Sequence, residues 1–157
     1  MPGQSSVKTN SDFRDLLAAL NAASAEYLVV GAHALAAHGH PRASKDLDVW
    51  VHATADNAER TYRALAAFGA PLDDLGVDDL STAGTVFQIG VEPVRIDIIT
   101  SIDGVDFEEA WPDRVSADYG GQSVSVISRK HLIQNKKAAG RPQDVADVDA
   151  LEKLGES

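Results

Sequence analysis

Three aspartates set inside apolar runs constrain this chain more than any other feature. Asp46 and Asp48 lie in Lys45-Asp46-Leu47-Asp48-Val49-Trp50-Val51, and Asp97 lies in Val94-Arg95-Ile96-Asp97-Ile98-Ile99. Such apolar runs favour extended strands, where aspartate is otherwise disfavoured. Side chains alternate across a strand, so Asp46 and Asp48 share one face while Leu47, Val49 and Val51 fill the other. Asp97 projects likewise, opposite Val94, Ile96 and Ile98. If the two strands are neighbours, three carboxylates meet at one place. Two such charges ~4 Å apart repel by roughly 4 kcal/mol at an effective dielectric of about 20. Hard oxygen ligands suit Mg²⁺, so the cluster points to a cation and to metal-dependent chemistry on phosphate. The plainer alternative is that the aspartates form the solvent face of a half-exposed strand.

The remaining chain reads as alternating helices and strands. Ser11 is expected to cap a helix through Phe13, Leu16, Leu17 and Leu20. Tyr27-Leu28-Val29-Val30 reads as a buried strand that ends at Gly31, and Ala32 to His38 as a short helix broken by Gly39-His40-Pro41. Thr54 is placed to cap a helix over Ala55–Phe68, with Gly69 and Pro71 as its stop. Leu72 to Gly84 is an acidic connection with room for one helical turn, and Asp106–Trp111 holds one or two more. Val86–Ile89 and Val94–Ile99 form a hairpin across residues 90–93. Arg114–Ala117 and Ser123–Ile127 form another around Gly120-Gly121. Ser128 caps a helix to Ala139 with Gly140 as its end. A last helix runs from Pro142 to Leu154, with Val145, Val148, Leu151 and Leu154 as its apolar stripe. The expected architecture is a mixed α/β domain, with about five strands in one sheet and helices packed on it.

A chain of 157 residues, 44% hydrophobic, is long enough to bury one real core. Residues 1–10 read as a polar tail lacking the apolar stretch of a signal peptide, and residues 11–157 as a single domain. No apolar run approaches the ~18 residues that cross a membrane. The chain has no cysteine, which excludes disulfides and thiolate metal sites and fits a reducing cytoplasm. The net charge of −10 argues against nonspecific nucleic-acid binding over the whole surface, though not against a local basic patch. One such patch exists. From Ser128 to Arg141 the cations Arg129, Lys130, Lys136, Lys137 and Arg141 occur without an acid. An exposed helix face explains most such runs. The alternative is that Lys136 and Arg141 face the acids and neutralise phosphate, or guide an RNA backbone. Helical spacing places Lys136 near Leu132 and Ile133, toward the packed side.

A strand that ends at Gly31 and opens a helix aims free backbone N–H groups outward, a natural phosphate cradle. Gly31 could equally make only a tight turn, and Arg42, Ser44 and Lys45 could be ordinary loop residues. Together the pieces are more specific. Val30-Gly31-Ala32, Arg42-Ala43-Ser44-Lys45-Asp46-Leu47-Asp48-Val49 and Ile96-Asp97-Ile98 resemble the DNA polymerase β-like nucleotidyltransferase superfamily. The stretch from Leu132 to Asp147, with Asn135-Lys136-Lys137-Ala138-Ala139-Gly140-Arg141 and Asp144, is similar to small bacterial members related to abortive-infection toxins.

That resemblance implies the nucleotidyltransferase fold and transfer of NMP from an NTP to an acceptor, with loss of pyrophosphate. It implies that Asp46 and Asp48 hold two Mg²⁺ ions, and that Asp97 binds metal beside the acceptor and helps deprotonate its hydroxyl. Gly31, Ala32, Arg42, Ser44, Lys45, Lys136 and Arg141 would hold the nucleotide, and His33 would line its pocket. The acceptor could be a tRNA, a protein or a small molecule, in a toxin–antitoxin or phage-defence setting. The chain departs from the family at Ala32, where serine or glycine is usual. A phosphate-binding hydroxyl is thus missing, and alanine resists positive φ if the turn demands it. That departure keeps open a catalytically inactive module acting through a partner protein. A metal phosphohydrolase using the same acids is a third alternative.

Overall fold

The computed structural model describes residues 10–40, 46–91 and 94–155. Arg42, Ser44 and Lys45, expected to bind phosphate, lie outside the described residues. Helix α1 spans Asn10–Ala22, strand β1 Tyr27–Val30, helix α2 Gly31–Ala37, strand β2 Asp46–Val51 and helix α3 Ala55–Phe68. The short α4, Val77–Leu80, follows, then β3, Val86–Val91, and β4, Val94–Ile99. Helix α5, Phe107–Ala110, leads through a 3₁₀ turn at Trp111–Asp113 into β5, Val115–Tyr119, and β6, Gln122–Val126. Helices α6, Arg129–Ala139, and α7, Pro142–Gly155, complete the chain.

The strands form a six-stranded mixed sheet in the order β3-β4-β2-β1-β6-β5. Strand β2 runs parallel to β4 and antiparallel to β1, while β1 runs parallel to β6. Hairpins close both edges. In the first, Gly90 and Val91 belong to the strand and pair with Arg95 and Val94, two residues beyond the expected strand end at Ile89. In the second, Gly120 and Gly121 both adopt positive φ, as a two-residue hairpin turn requires.

The core follows from the alternation. Leu47, Val49 and Val51 of β2 and Ile96 and Ile98 of β4 are fully buried. They share one apolar cluster with Phe13, Leu16, Leu17 and Leu20 of α1 and Ala58, Ala64 and Leu65 of α3. Helix α1 packs on α3 and on β6, and α3 on β2. Thr54 caps α3 by accepting from Asn57 N at 3.2 Å, and Ser128 caps α6 by accepting from His131 N at 3.1 Å. Gly69 and Gly140 end those helices in the left-handed conformation.

Two local expectations need correction. Helix α1 begins at Asn10, so Ser11 lies one residue inside the helix rather than just before it. The inward stripe of α7 keeps Val148 and Leu151 but adds Asp144 and Asp147 in place of Val145, which is 63% exposed, and Leu154, which is also exposed. Two aspartates can take core positions only because cations meet them there.

Candidate functional site

The parallel pairing of β2 with β4 brings the three aspartates together. Asp46 stands opposite Arg95 and Asp48 opposite Asp97, so one patch of sheet carries three acids and a guanidinium. Arg95 is two residues before Asp97 and therefore on the same face. Its Nη2 lies 3.3 Å from Asp46 Oδ2, and its Nε lies 3.0 Å from Asp97 Oδ1. A further bond runs from Nη2 to Asp97 Oδ2 at 3.3 Å. Asp48 takes no share of the guanidinium at this range. Burial first, then the charges of Asp97 and Asp46, push its carboxyl up to about 6, with Arg95 offsetting part of the rise. The sequence reading gave Arg95 no role, although strand alternation alone placed it beside Asp97.

Gly31 is needed for this geometry. Its φ is +69°, and a Cβ there would run into the Asp48 carboxylate. The glycine therefore makes the turn and also lets an acid approach the strand–helix junction. Ala32 is not among the positive-φ residues, so the turn places its strain on Gly31 alone and alanine fits the next position. Val30, the residue preceding α2, offers no side-chain cap to the first-turn N–H groups.

Opposite Asp48 stands a second charged group. A cleft of about 550 Å³ is lined by Gly31, Ala32, Asp48, Lys136, Arg141, Pro142, Gln143, Asp144 and Asp147. Lys136 is buried, its Nζ 3.3 Å from Asp144 Oδ1 and 3.0 Å from Asp147 Oδ2. Arg141 Nε donates to Asp144 Oδ2 at 2.7 Å. Burial alone would raise the Asp144 carboxyl, yet bonds from Arg141 and Lys136 hold it below the usual range. Lys136 and Arg141 thus border the cleft as expected, but each already has acidic partners. Asp147 has a structural task that its sequence position did not announce.

His33 does not line this cleft. It borders a separate cavity of about 250 Å³ with Val29, Ala36, Ala37, Ala117 and Tyr119 among its walls. Its ring stands edge-on to Phe13 and is tilted against Tyr119. His38 Nε2 donates to Ile127 O at 2.7 Å, tying the end of α2 to the strand layer.

The donor set suits a hard divalent cation: three carboxylates converge, and buried Asp97 Oδ1 accepts no well-aligned hydrogen bond although Arg95 Nε lies 3.0 Å away. Arg95 is seated between Asp46 and Asp97, and among the described residues no group of three or more His, Cys, Asp or Glu side chains is arranged to hold an ion. The chemistry of the site fits a metal, and the guanidinium stands where its ligands point.

Residues 9–157 match the model of a family described as nucleotidyl transferase of unknown function (DUF2204). The chain belongs to that family. A search of curated proteins gives no match. Solved structures share the fold. The lincosamide antibiotic adenylyltransferase LnuA, bound to lincomycin, aligns at TM-score 0.59 and 11% identity, covering 93% of this chain and 98% of that one. ANT(2'')-Ia in complex with adenylyl-2''-tobramycin aligns at 0.59 and 15% identity, covering 93% and 92%. An antigenic nucleotidyltransferase-like protein from Paracoccidioides brasiliensis aligns at 0.54 and 21% identity, covering 92% and 75%. Among the described residues no helix is long and apolar enough to cross a membrane.

Proposed function

We propose that this nucleotidyltransferase-family protein transfers NMP from an NTP to an acceptor hydroxyl with release of pyrophosphate. The observation that carries the reading is the pairing of Asp46 and Asp48 on β2 with Asp97 on β4, beside the Gly31 turn. Mg²⁺ bound by these carboxylates would stabilise both the attacking and the leaving oxygen of the displacement. Asp46 and Asp48 bind and orient the nucleotide end of the reaction. Asp97 sits toward the acceptor and takes the proton of its hydroxyl. Backbone N–H groups from Gly31 and Ala32 hold phosphate oxygens without help from a serine hydroxyl. Lys136 and Arg141 border the triphosphate from the other wall, fixed in place by Asp144 and Asp147.

The acceptor class is a tRNA, a protein or a small molecule; the solved relatives LnuA and ANT(2'')-Ia are antibiotic-directed by their descriptions. The test is incubation with each α-labelled NTP, Mg²⁺ and cell extract, with and without added aminoglycosides and lincosamides. Label should appear on one acceptor and vanish with Asp48→Asn. Expression-dependent growth arrest with label on tRNA or protein would support a toxin–antitoxin or phage-defence setting. No labelled product, together with no nucleotide binding at millimolar levels, would sink the reading.

A second reading keeps one observation: both Lys136 and Arg141 are already neutralised by buried acids. That favours an inactive module working through a protein partner. It predicts a stable complex in pull-down and no shift in melting with nucleotide. Free NMP released without any acceptor would instead indicate a phosphohydrolase.

A further inference from the structure

We propose that Arg95 is an internal counter-ion of the acid cluster, and that a divalent cation must displace it before Asp46 and Asp97 can both act as ligands. The inference deepens the metal reading above and rests on it. The strand register fixes the arrangement: Arg95 is the cross-strand partner of Asp46 and the same-face neighbour of Asp97. Its guanidinium reaches both carboxylates, at 3.3 Å and 3.0 Å. A planar fork in that position occupies the lone pairs that a shared cation needs.

Two properties of the group make displacement a movement rather than a titration. Guanidinium stays charged at any ordinary pH, so it cannot leave by losing a proton. The Arg95 side chain is 26% exposed, against 14% for Asp97 and 32% for Asp46, so the pair is open to water on the side of Arg95 and Asp46. The site therefore carries its own cation at rest. Asp48, outside those bonds, adds a third carboxylate whose charge attracts a divalent ion. Metal affinity becomes the difference between two bound cations and is weaker than three free carboxylates would give.

Mn²⁺ titration without nucleotide, read by electron paramagnetic resonance, tests this on the wild type, Arg95→Met, Arg95→Lys and Asp48→Asn. Arg95→Met should bind Mn²⁺ about tenfold or more tightly than the wild type, because a competing charge is gone. It should also melt lower in chelator and regain that loss with Mn²⁺. Arg95→Lys should stay near the wild type. Arg95→Met that is folded and binds Mn²⁺ no better than the wild type overturns the counter-ion role and leaves the metal site standing. Mn²⁺ bound by no variant, or equally by Asp48→Asn, overturns the metal reading and this inference with it. If Arg95→Met does not fold, the wild type suffices. The ¹⁵Nε–H signal of Arg95 should move toward the position of a free guanidinium as Mg²⁺ is added, and an unchanged signal at saturating Mg²⁺ refutes displacement.

Discussion

Two charged clusters built to opposite rules meet at the cleft, one through Asp48 and the other through Lys136, Arg141, Asp144 and Asp147. On β2 and β4, Asp46 and Asp97 share the Arg95 guanidinium, while Asp48 stands outside those bonds and is raised to about 6, by burial first and then by the charges of Asp97 and Asp46. Between α6 and α7, Lys136 and Arg141 meet Asp144 and Asp147 two against two, and Asp144 is held below its usual range. A balanced buried network is a closed structure that holds helices in register. An unbalanced one stores repulsion that a ligand can relieve. On the proposed function, the contrast puts the ligand chemistry on the sheet and the framework in the helices.

The largest effect should come from breaking the balanced side. Lys136→Met leaves Asp144 and Asp147 buried with one cation between them, and should cost about 3–5 kcal/mol in denaturant unfolding. A loss under about 1 kcal/mol would mean that the α6–α7 pairs are solvated. The unbalanced side should respond with the opposite sign. Asp48→Asn removes one of three crowded charges, and in chelator should stabilise the protein by about 1–3 kcal/mol. Added Mg²⁺ should then stabilise the wild type more than the variant. Gly31→Ala probes the hinge between the clusters. Strain at φ +69° and the collision with Asp48 should cost about 1–2 kcal/mol and weaken Mn²⁺ binding as well. Unchanged metal affinity would show that Asp48 does not need its close approach to Gly31.

The smallest effect lies away from the cleft and serves as a control. His52 Nδ1 lies 2.8 Å from Glu26 and Nε2 lies 2.7 Å from Glu108, with the ring stacked on Phe107. Burial pulls its pKa down, but the bonds to Glu108 and Glu26 raise it further, and the net shift is upward. A histidine raised on folding stabilises fully below its unfolded value near 6.5, and the gain is lost as pH rises through the folded value. Unfolding free energy should fall with pH across that window by under about 1 kcal/mol, read as a small drop in melting temperature, since Glu108 is largely exposed. His52→Gln should flatten that slope, and a slope unaltered by the substitution would place its origin elsewhere.

Much of the sheet side was legible in the sequence because its signals are local. Two-residue alternation located the strands and put Asp46, Asp48 and Asp97 on one face. Gly31, Gly69 and Gly140 marked turns whose positive φ only glycine takes readily. Arg95 was legible by the same alternation, which sets it on the face of Asp97 two residues later. The helix side was harder. Apolar spacing suggested Val145 and Leu154, whereas the buried stripe runs through Asp144 and Asp147. A sequence pattern scores aspartate as exposed. Only the packing of α7 against α6 reveals that Lys136 lies within reach of both acids. His33 failed for a similar reason: closeness in sequence to Gly31 did not fix which side of α2 it occupies.

The most direct measurement is calorimetric titration of NTP into the protein with Mg²⁺, for the wild type, Asp46→Asn/Asp48→Asn and Asp147→Asn. Nucleotide binding should require Mg²⁺ and disappear in the double aspartate variant. In folded Asp147→Asn it should persist, weakened by about tenfold or less. Binding that survives loss of Asp46 and Asp48 but disappears with Asp147 would contradict the division of labour between the two clusters.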